Sequence, residues 1–372
     1  MKTYKEHFNE PLHLESGRIL SEFDLVYETY GKLNKDKSNV VVVCHALTGS
    51  HHAAGRYEND SKPGWWDGMI GSGKGIDTDE NFVICVNILG SSFGSTNPLS
   101  IEPSTGKQYR LRFPVLSISD VVKAQMLLFQ RLGINQAKAI IGGSLGGMQT
   151  LCFAIEYPKF AQNHVILAST YATKSWAIAF NKIAIEAIRQ DPVFKDGYYD
   201  PKDLQDNDLV GMALGRMAGH ISFLSPYSME RKFGRNYVQT DGLYELFGRY
   251  EVERYLEYNG YNFPKRFDPL SYLYIVKMMN NFDATRHYNT HYATLDEAMN
   301  LIEKNIYLIA FSGDVLFPPN LMEQMHQTMI NLNKSNLSQY ICVDSDYGHD
   351  AFLVEIEKIE NLVKKAINGR KF

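Results

Sequence analysis

A short apolar run, Ala137 to Ile141, passes directly into Gly142-Gly143-Ser144-Leu145-Gly146-Gly147, and Met148 to Glu156 then reads as a helix closed by Tyr157-Pro158. Few patterns constrain a chain more. G-x-S-x-G between a strand and a helix requires a strained turn in which small residues let the two backbones approach. In that context Ser144 reads as a nucleophile rather than as one polar residue of a glycine turn.

The neighbouring text repeats the same rhythm. Val40 to Val43 and Phe82 to Ile88 are β-branched runs ending in glycine-containing turns, as strands buried on both faces of a parallel sheet do. Ser119 to Leu132 carries apolar residues at helical spacing, with Ser119 or Asp120 as the expected N-cap. Val165 to Ala168 starts another strand. From 173 to 298 the rhythm stops, and helix-like segments follow at Ala177 to Gln190, Leu209 to Ala218, Leu243 to Asn259 and Tyr272 to Asn280. Strands resume at Ile306 to Phe311 and Gln339 to Val343, before an amphipathic helix from Phe352 to Ile367. The expected organisation is an α/β core in two pieces, 1–172 and 299–372, interrupted by a helical insertion at 173–298.

A serine hydroxyl needs a base, and the base needs an orienting acid. Asp314 follows the strand Ile306 to Phe311, and His349 lies in a loop between the final strand and the final helix, which gives the chain order Ser, Asp, His. Asp344, Asp346 and Asp350 are nearer to His349 in sequence, but Asp314 ends its own strand. His51, His52, His287, His291 and His326 read as solvated, and His164 and His220 as structural. The oxyanion would be held by the N–H of Leu145 and by a second N–H from the turn at Cys44 to Gly49, assigned to Leu47.

Composition narrows the class. The 372 residues are 44% hydrophobic and 22% charged, and 38 Lys plus Arg stand against 42 Asp plus Glu, so a broad basic field for nucleic acid is not expected. No apolar run approaches the length of a membrane span, and the first residues lack a secretory pattern, which reads as a cytoplasmic chain. Cys44, Cys85, Cys152 and Cys342 each sit in an apolar segment and read as buried thiols. His51-His52 lacks the spacing of a helical metal site, and Gly71-Ser72-Gly73-Lys74-Gly75 lacks the strand and helix of a phosphate loop, so no metal or bound cofactor is expected.

Together, His45 to Gly49, Asn87-Ile88-Leu89-Gly90, Gly94-Ser95-Thr96-Asn97-Pro98, Thr105 to Tyr109 with Phe113-Pro114, Gly142 to Gln149, Phe267-Asp268-Pro269, Leu316 to Pro319 and Gly348 to Leu353 resemble the homoserine O-acetyltransferase family of the α/β-hydrolase superfamily. The resemblance implies an α/β-hydrolase fold with a helical lid, Ser144 as the acylated nucleophile, and Asp314 and His349 as its partners. It further implies acetyl-CoA as donor and L-homoserine as acceptor on the way to methionine, and a homodimer through the lid helices. Arg216 and Asp350 correspond to the residues that hold the amino-acid substrate, guanidinium to carboxylate and carboxylate to ammonium. Two departures bear on the acceptor: Phe223 stands where the family has Tyr, and Leu270 where it has Asn. The alternatives are a succinyl donor, for which Arg56, Lys62 or Arg110 would supply an extra cation, a serine acceptor, or hydrolysis by water.

Overall fold

β-Branched runs bury both faces only in the middle of a covered sheet, and in the computed structural model, which describes residues 2–58, 62–204, 209–239, 242–286 and 294–372, they do so. The strands of the main sheet are β1 (Lys2–Phe8), β2 (Phe23–Tyr30), β3 (Val40–Cys44), β4 (Phe82–Val86), β5 (Ala137–Gly143), β6 (Ala161–Leu167), β7 (Asn305–Phe311) and β8 (Ser338–Val343). They form one sheet in the order β1-β2-β4-β3-β5-β6-β7-β8. β2 pairs antiparallel with β1 and with β4; the remaining pairs are parallel.

The helices among the described residues are α1 (Ile118–Arg131), α2 (Leu145–Glu156), α3 (Ser175–Gln190), α4 (Val210–Phe223), α5 (Pro226–Phe233), α6 (Glu251–Tyr261), α7 (Pro269–Asn280), α8 (Leu295–Met299), α9 (Pro319–Asn331), α10 (Ala351–Val354) and α11 (Ile356–Ile367). Alternation along β3 sorts the two layers. Val40 and Val42 join the core with Val121, Val122 and Phe129 of α1 and Met148 and Phe153 of α2. Val41 and Val43 join the opposite core with Ile359, Val363 and Ile367 of α11.

Several element boundaries differ from the sequence reading. The N-cap of α1 is Ser117, whose hydroxyl accepts the Asp120 N–H at 3.1 Å while the Asp120 carboxylate accepts the Ser117 N–H at 2.9 Å. Ser119 is then inside the helix and donates to Glu156 at 2.8 Å. The expected helix over 243–259 begins only at Glu251: Gly242–Tyr244 forms a separate 3-10 turn, and Tyr250, extended at φ −76° and ψ 156°, pairs with Tyr237 in an antiparallel bridge. The C-terminal helix is split at Glu355. α8 crosses the expected boundary at 298 and buries Ala298 and Met299 with Met325 and Met329 of α9, so it packs with the sheet layer.

The helices between β6 and β7 are stitched to the loop after β8. Ser225, between α4 and α5, donates its N–H to the Tyr347 carbonyl at 2.9 Å, and Asp350 donates its N–H to the Phe223 carbonyl at 3.2 Å. Gly348 has φ +110°, and a Cβ there would lie 2.5 Å from the Ser225 nitrogen.

Candidate active site

Ser144 sits between β5 and α2 with φ 57° and ψ −122°, a backbone strain of the kind that non-glycine residues rarely hold without support. The support is steric and polar. A Cβ on Gly146 would lie 2.1 Å from the Cys44 carbonyl oxygen of β3, so only glycine lets α2 approach that strand. The Ser169 hydroxyl donates to the Ser144 carbonyl at 2.8 Å.

The Ser144 hydroxyl lies 2.9 Å from Nε2 of His349, and Nδ1 of His349 lies 2.8 Å from Oδ2 of Asp314. A carboxylate only accepts, so Nδ1 carries the proton and Nε2 is left to accept from the serine. The other Asp314 oxygen accepts the N–H groups of Leu316 and Phe317, each at 2.9 Å, which fixes the carboxylate plane. All three side chains are buried. Burial alone would lower the His349 pKa, but the Asp314 carboxylate and its hydrogen bond, with Asp350 further off, raise it above 6.5. Asp344 instead accepts from Ser312, and Asp346 pairs with Arg231 at 3.7 Å, both at the surface.

Leu145 opens α2, where an N–H has no carbonyl of a preceding turn to bond. Leu47 lines the same cavity as Ser144. Its turn is held by His45, a residue to which the sequence reading gave no role. Burial lowers the His45 pKa to about 4, so the ring is neutral; Nδ1–H donates to the Ala46 carbonyl at 2.8 Å and Nε2 accepts the Ile88 N–H at 2.9 Å. The Ala46 carbonyl also accepts the Gly49 N–H at 3.0 Å, closing the turn around Leu47.

The cavity, about 90 Å³, is bounded by the Ser144 elbow, the His349 loop and helices α3, α4 and α7. Arg216 and Asp350 both line it. Burial lowers the Arg216 pKa and nearby Arg266 adds to this, while Asp350, Tyr272 and Tyr255 oppose it. Burial raises the Asp350 pKa, with His349 and Arg216 opposing. The Arg216 guanidinium stands over the Phe263 and Phe223 rings, 4.7 and 5.2 Å from their centroids. Among the described lining residues Arg216 is the only Lys or Arg. Arg56 and Lys62 are exposed elsewhere, and Arg110 stacks on Tyr199 at 4.9 Å. Phe223 lines the cavity, but Leu270 does not: it is buried in the main core.

Other residues settle differently from their reading. His51 and His52 are not solvated; they lie half-buried against Glu28, whose carboxylate accepts from His52 Nδ1 at 3.1 Å and Thr3 Oγ1 at 2.9 Å, because a buried carboxylate requires donors. His326 is half-buried, with Nδ1 2.8 Å from the Ser338 hydroxyl. Cys342 is exposed on β8, a sheet edge, while Cys44, Cys85 and Cys152 are buried. His164 and His220 are buried, and His287 and His291 lie outside the described residues. Among the described residues no group of three or more His, Cys, Asp or Glu could hold a metal, and no helix is long and apolar enough to cross a membrane. A larger cleft of about 320 Å³, lined by Glu15, Asp120, Glu156 and Asp283, does not include Ser144.

Comparison with known proteins places the chain in a family. Residues 39–356 match the family model of the alpha/beta hydrolase fold. The chain is 60% identical to the homoserine O-acetyltransferase of Sulfurimonas autotrophica, over 99% of both chains. It is 53% identical to that of Nautilia profundicola, over 97% of both. Among solved structures, the homoserine O-acetyltransferase of Bacillus anthracis superposes with a TM-score of 0.89 at 29% identity, over 99% of this chain and 98% of that one. Esterase E22 superposes with a TM-score of 0.86 at 28% identity, over 98% of this chain and 100% of that one. With an alpha/beta hydrolase fold and relatives this similar along its whole length, the chain belongs to the homoserine O-acetyltransferase family.

Proposed function

We propose that the chain transfers an acetyl group from acetyl-CoA to the hydroxyl of L-homoserine through an acyl-Ser144 intermediate. His349 takes the Ser144 proton as the serine oxygen attacks the thioester carbonyl, and Asp314 stabilises the imidazolium that forms. The oxyanion is held by the Leu47 and Leu145 N–H groups. His349 returns the proton as the CoA thiol leaves. Homoserine then enters, Arg216 takes its carboxylate and Asp350 its ammonium, and His349 deprotonates its hydroxyl for attack on the acyl-serine.

One observation carries the reading: the hydrogen-bonded chain from Asp314 through His349 to Ser144 opens into a cavity lined by one buried cation, Arg216, and one half-buried carboxylate, Asp350. That only one Lys or Arg lines the cavity favours an uncharged acyl group over a succinyl tail. The superposition on esterase E22 supports a second reading, in which water is the acceptor. Thiol release from acetyl-CoA with and without homoserine separates the two. Release at the same rate without homoserine defeats the transferase reading.

The same proposal treats 1–172 and 299–372 as the catalytic core and 173–298 as a lid, in the cytoplasm, with acetyl-CoA a substrate rather than a resident cofactor. It also takes the protein as a homodimer through α3 and α4, on which Trp176, Ile183, Leu214 and Ile221 are exposed. Sedimentation of wild type against a Trp176→Lys, Leu214→Lys variant tests that contact.

A further inference from the structure

Beneath the two oxyanion donors one side chain touches both of the backbones that carry them. Gln149, on α2, is fully buried. Its Nε2 donates to the His45 carbonyl at 3.1 Å and to the Leu145 carbonyl at 3.4 Å. The first carbonyl begins the turn that carries Leu47; the second belongs to the residue whose own N–H is the other donor. Two amide protons meet two carbonyls.

The amide cannot be reversed. Its Oε1 accepts from Nε2 of Gln125, on α1, at 3.0 Å, and a flipped amide would turn its oxygen onto two carbonyl oxygens. The two carbonyls therefore fix the orientation, and Gln125 joins the bridge from a third element. Neither Gln149 nor Gln125 lines the cavity, so their effect on chemistry is indirect.

We propose that Gln149 is a positioning residue that sets the spacing of the Leu47 and Leu145 N–H groups, an inference that rests on the acyl-transfer reading of Ser144. An oxyanion hole works because its dipoles are aligned before charge develops, and removing one donor outright costs about 10²–10³ in turnover. Loosening the segments that carry both donors weakens both at once. Because each half-reaction passes through an oxyanion, acylation and deacylation share the loss.

The test compares wild type with Gln149→Met, which keeps the volume and removes the bridge. Acylation is followed with p-nitrophenyl acetate, deacylation with homoserine, and oxyanion binding with 1,1,1-trifluoroacetone, whose adduct on serine places an oxygen anion in the hole. The expected result is a fall of about 10–100-fold in both rates, a parallel weakening of the ketone and a homoserine KM within about twofold of wild type. Unchanged rates, a loss confined to KM, or slower rates with full ketone affinity each overturn the proposal. Should Gln149→Met fail to fold, Gln149→Asn keeps the amide but is one methylene short of bridging both carbonyls, and the same outcomes apply. Wild type that reacts with p-nitrophenyl acetate but not with acetyl-CoA defeats the donor reading instead, and the comparison made with p-nitrophenyl acetate still decides the role of Gln149.

Discussion

Asp314 and His349 meet at 2.8 Å with both side chains buried, and although burial lowers the imidazole pKa, the Asp314 carboxylate and its hydrogen bond, with Asp350 added, raise it overall. On the proposed mechanism the base must be neutral to accept the serine proton. The acidic limb of the kcat/KM profile is therefore expected above 6.5, since the folded pKa is raised from that value. In Asp314→Asn, burial acts without the carboxylate, so the limb moves below 6.5 and the rate falls about 10³–10⁴-fold with the tautomer no longer held. A pH–rate profile of both proteins checks it; an unmoved limb contradicts it.

Arg216 is buried, and its planar fork suits a carboxylate in two-point contact. Arg216→Lys keeps the charge and loses the fork. Homoserine kcat/KM is expected to fall about 100-fold, while acyl-enzyme formation from acetyl-CoA stays within about threefold. Stopped-flow acylation alongside steady-state kinetics separates the two. Equal losses in both would remove Arg216 from the acceptor site.

Gly146→Ala places a methyl 2.1 Å from a strand carbonyl, where neither backbone can yield cheaply. The expected cost is about 3 kcal/mol. Gly106→Ala is the control: its φ is +67° but nothing lies within 4 Å, so it carries left-handed strain alone, about 1 kcal/mol. Urea midpoints at constant slope measure both, and equal costs would mean that the contact between α2 and β3 does not limit the elbow.

Two buried imidazoles, His45 and His164, have pKa values lowered by burial to about 4. The unfolded chain binds these protons first, so their contribution is present above 6.5 and lost as the pH falls towards 4, at up to about 1.4 kcal/mol per pH unit for each. His349 has the opposite sign: its raised pKa favours the fold below 6.5 and fades as the pH rises through the folded value. A stability curve declining from pH 6.5 to 4 is expected, with a shallower slope in His164→Gln. An unchanged slope in that variant would show that His164 does not titrate on unfolding.

The elbow was legible because strain restricts residue type, and Ser144 between glycines has few other uses. Strands buried on both faces were legible as unbroken Val and Ile runs. β1 was not: most of its side chains are exposed, and its order comes from pairing with β2, a long-range register that local pattern does not carry. α5 left a signal that went unread, Ser225-Pro226 at its N-terminus. α9 left another, the spacing of Met322, Met325 and Met329. His45 and Gln149 stand inside the segments His45 to Gly49 and Gly142 to Gln149, but their roles depend on neighbours at 88 and 125 that only the fold brings near. Leu270 misled for a simpler reason: a family difference close to a site in sequence belongs to the core in space.

The backbone bonds joining Ser225 to Tyr347 and Phe223 to Asp350 have a mechanical consequence. A cover that swung away at this end would drag Gly348 and the histidine beside it. Were substrate to enter at this end, entry and readiness of the proposed base would share one coordinate: opening the mouth would disarm the enzyme, and water entering through it would meet a serine without its base.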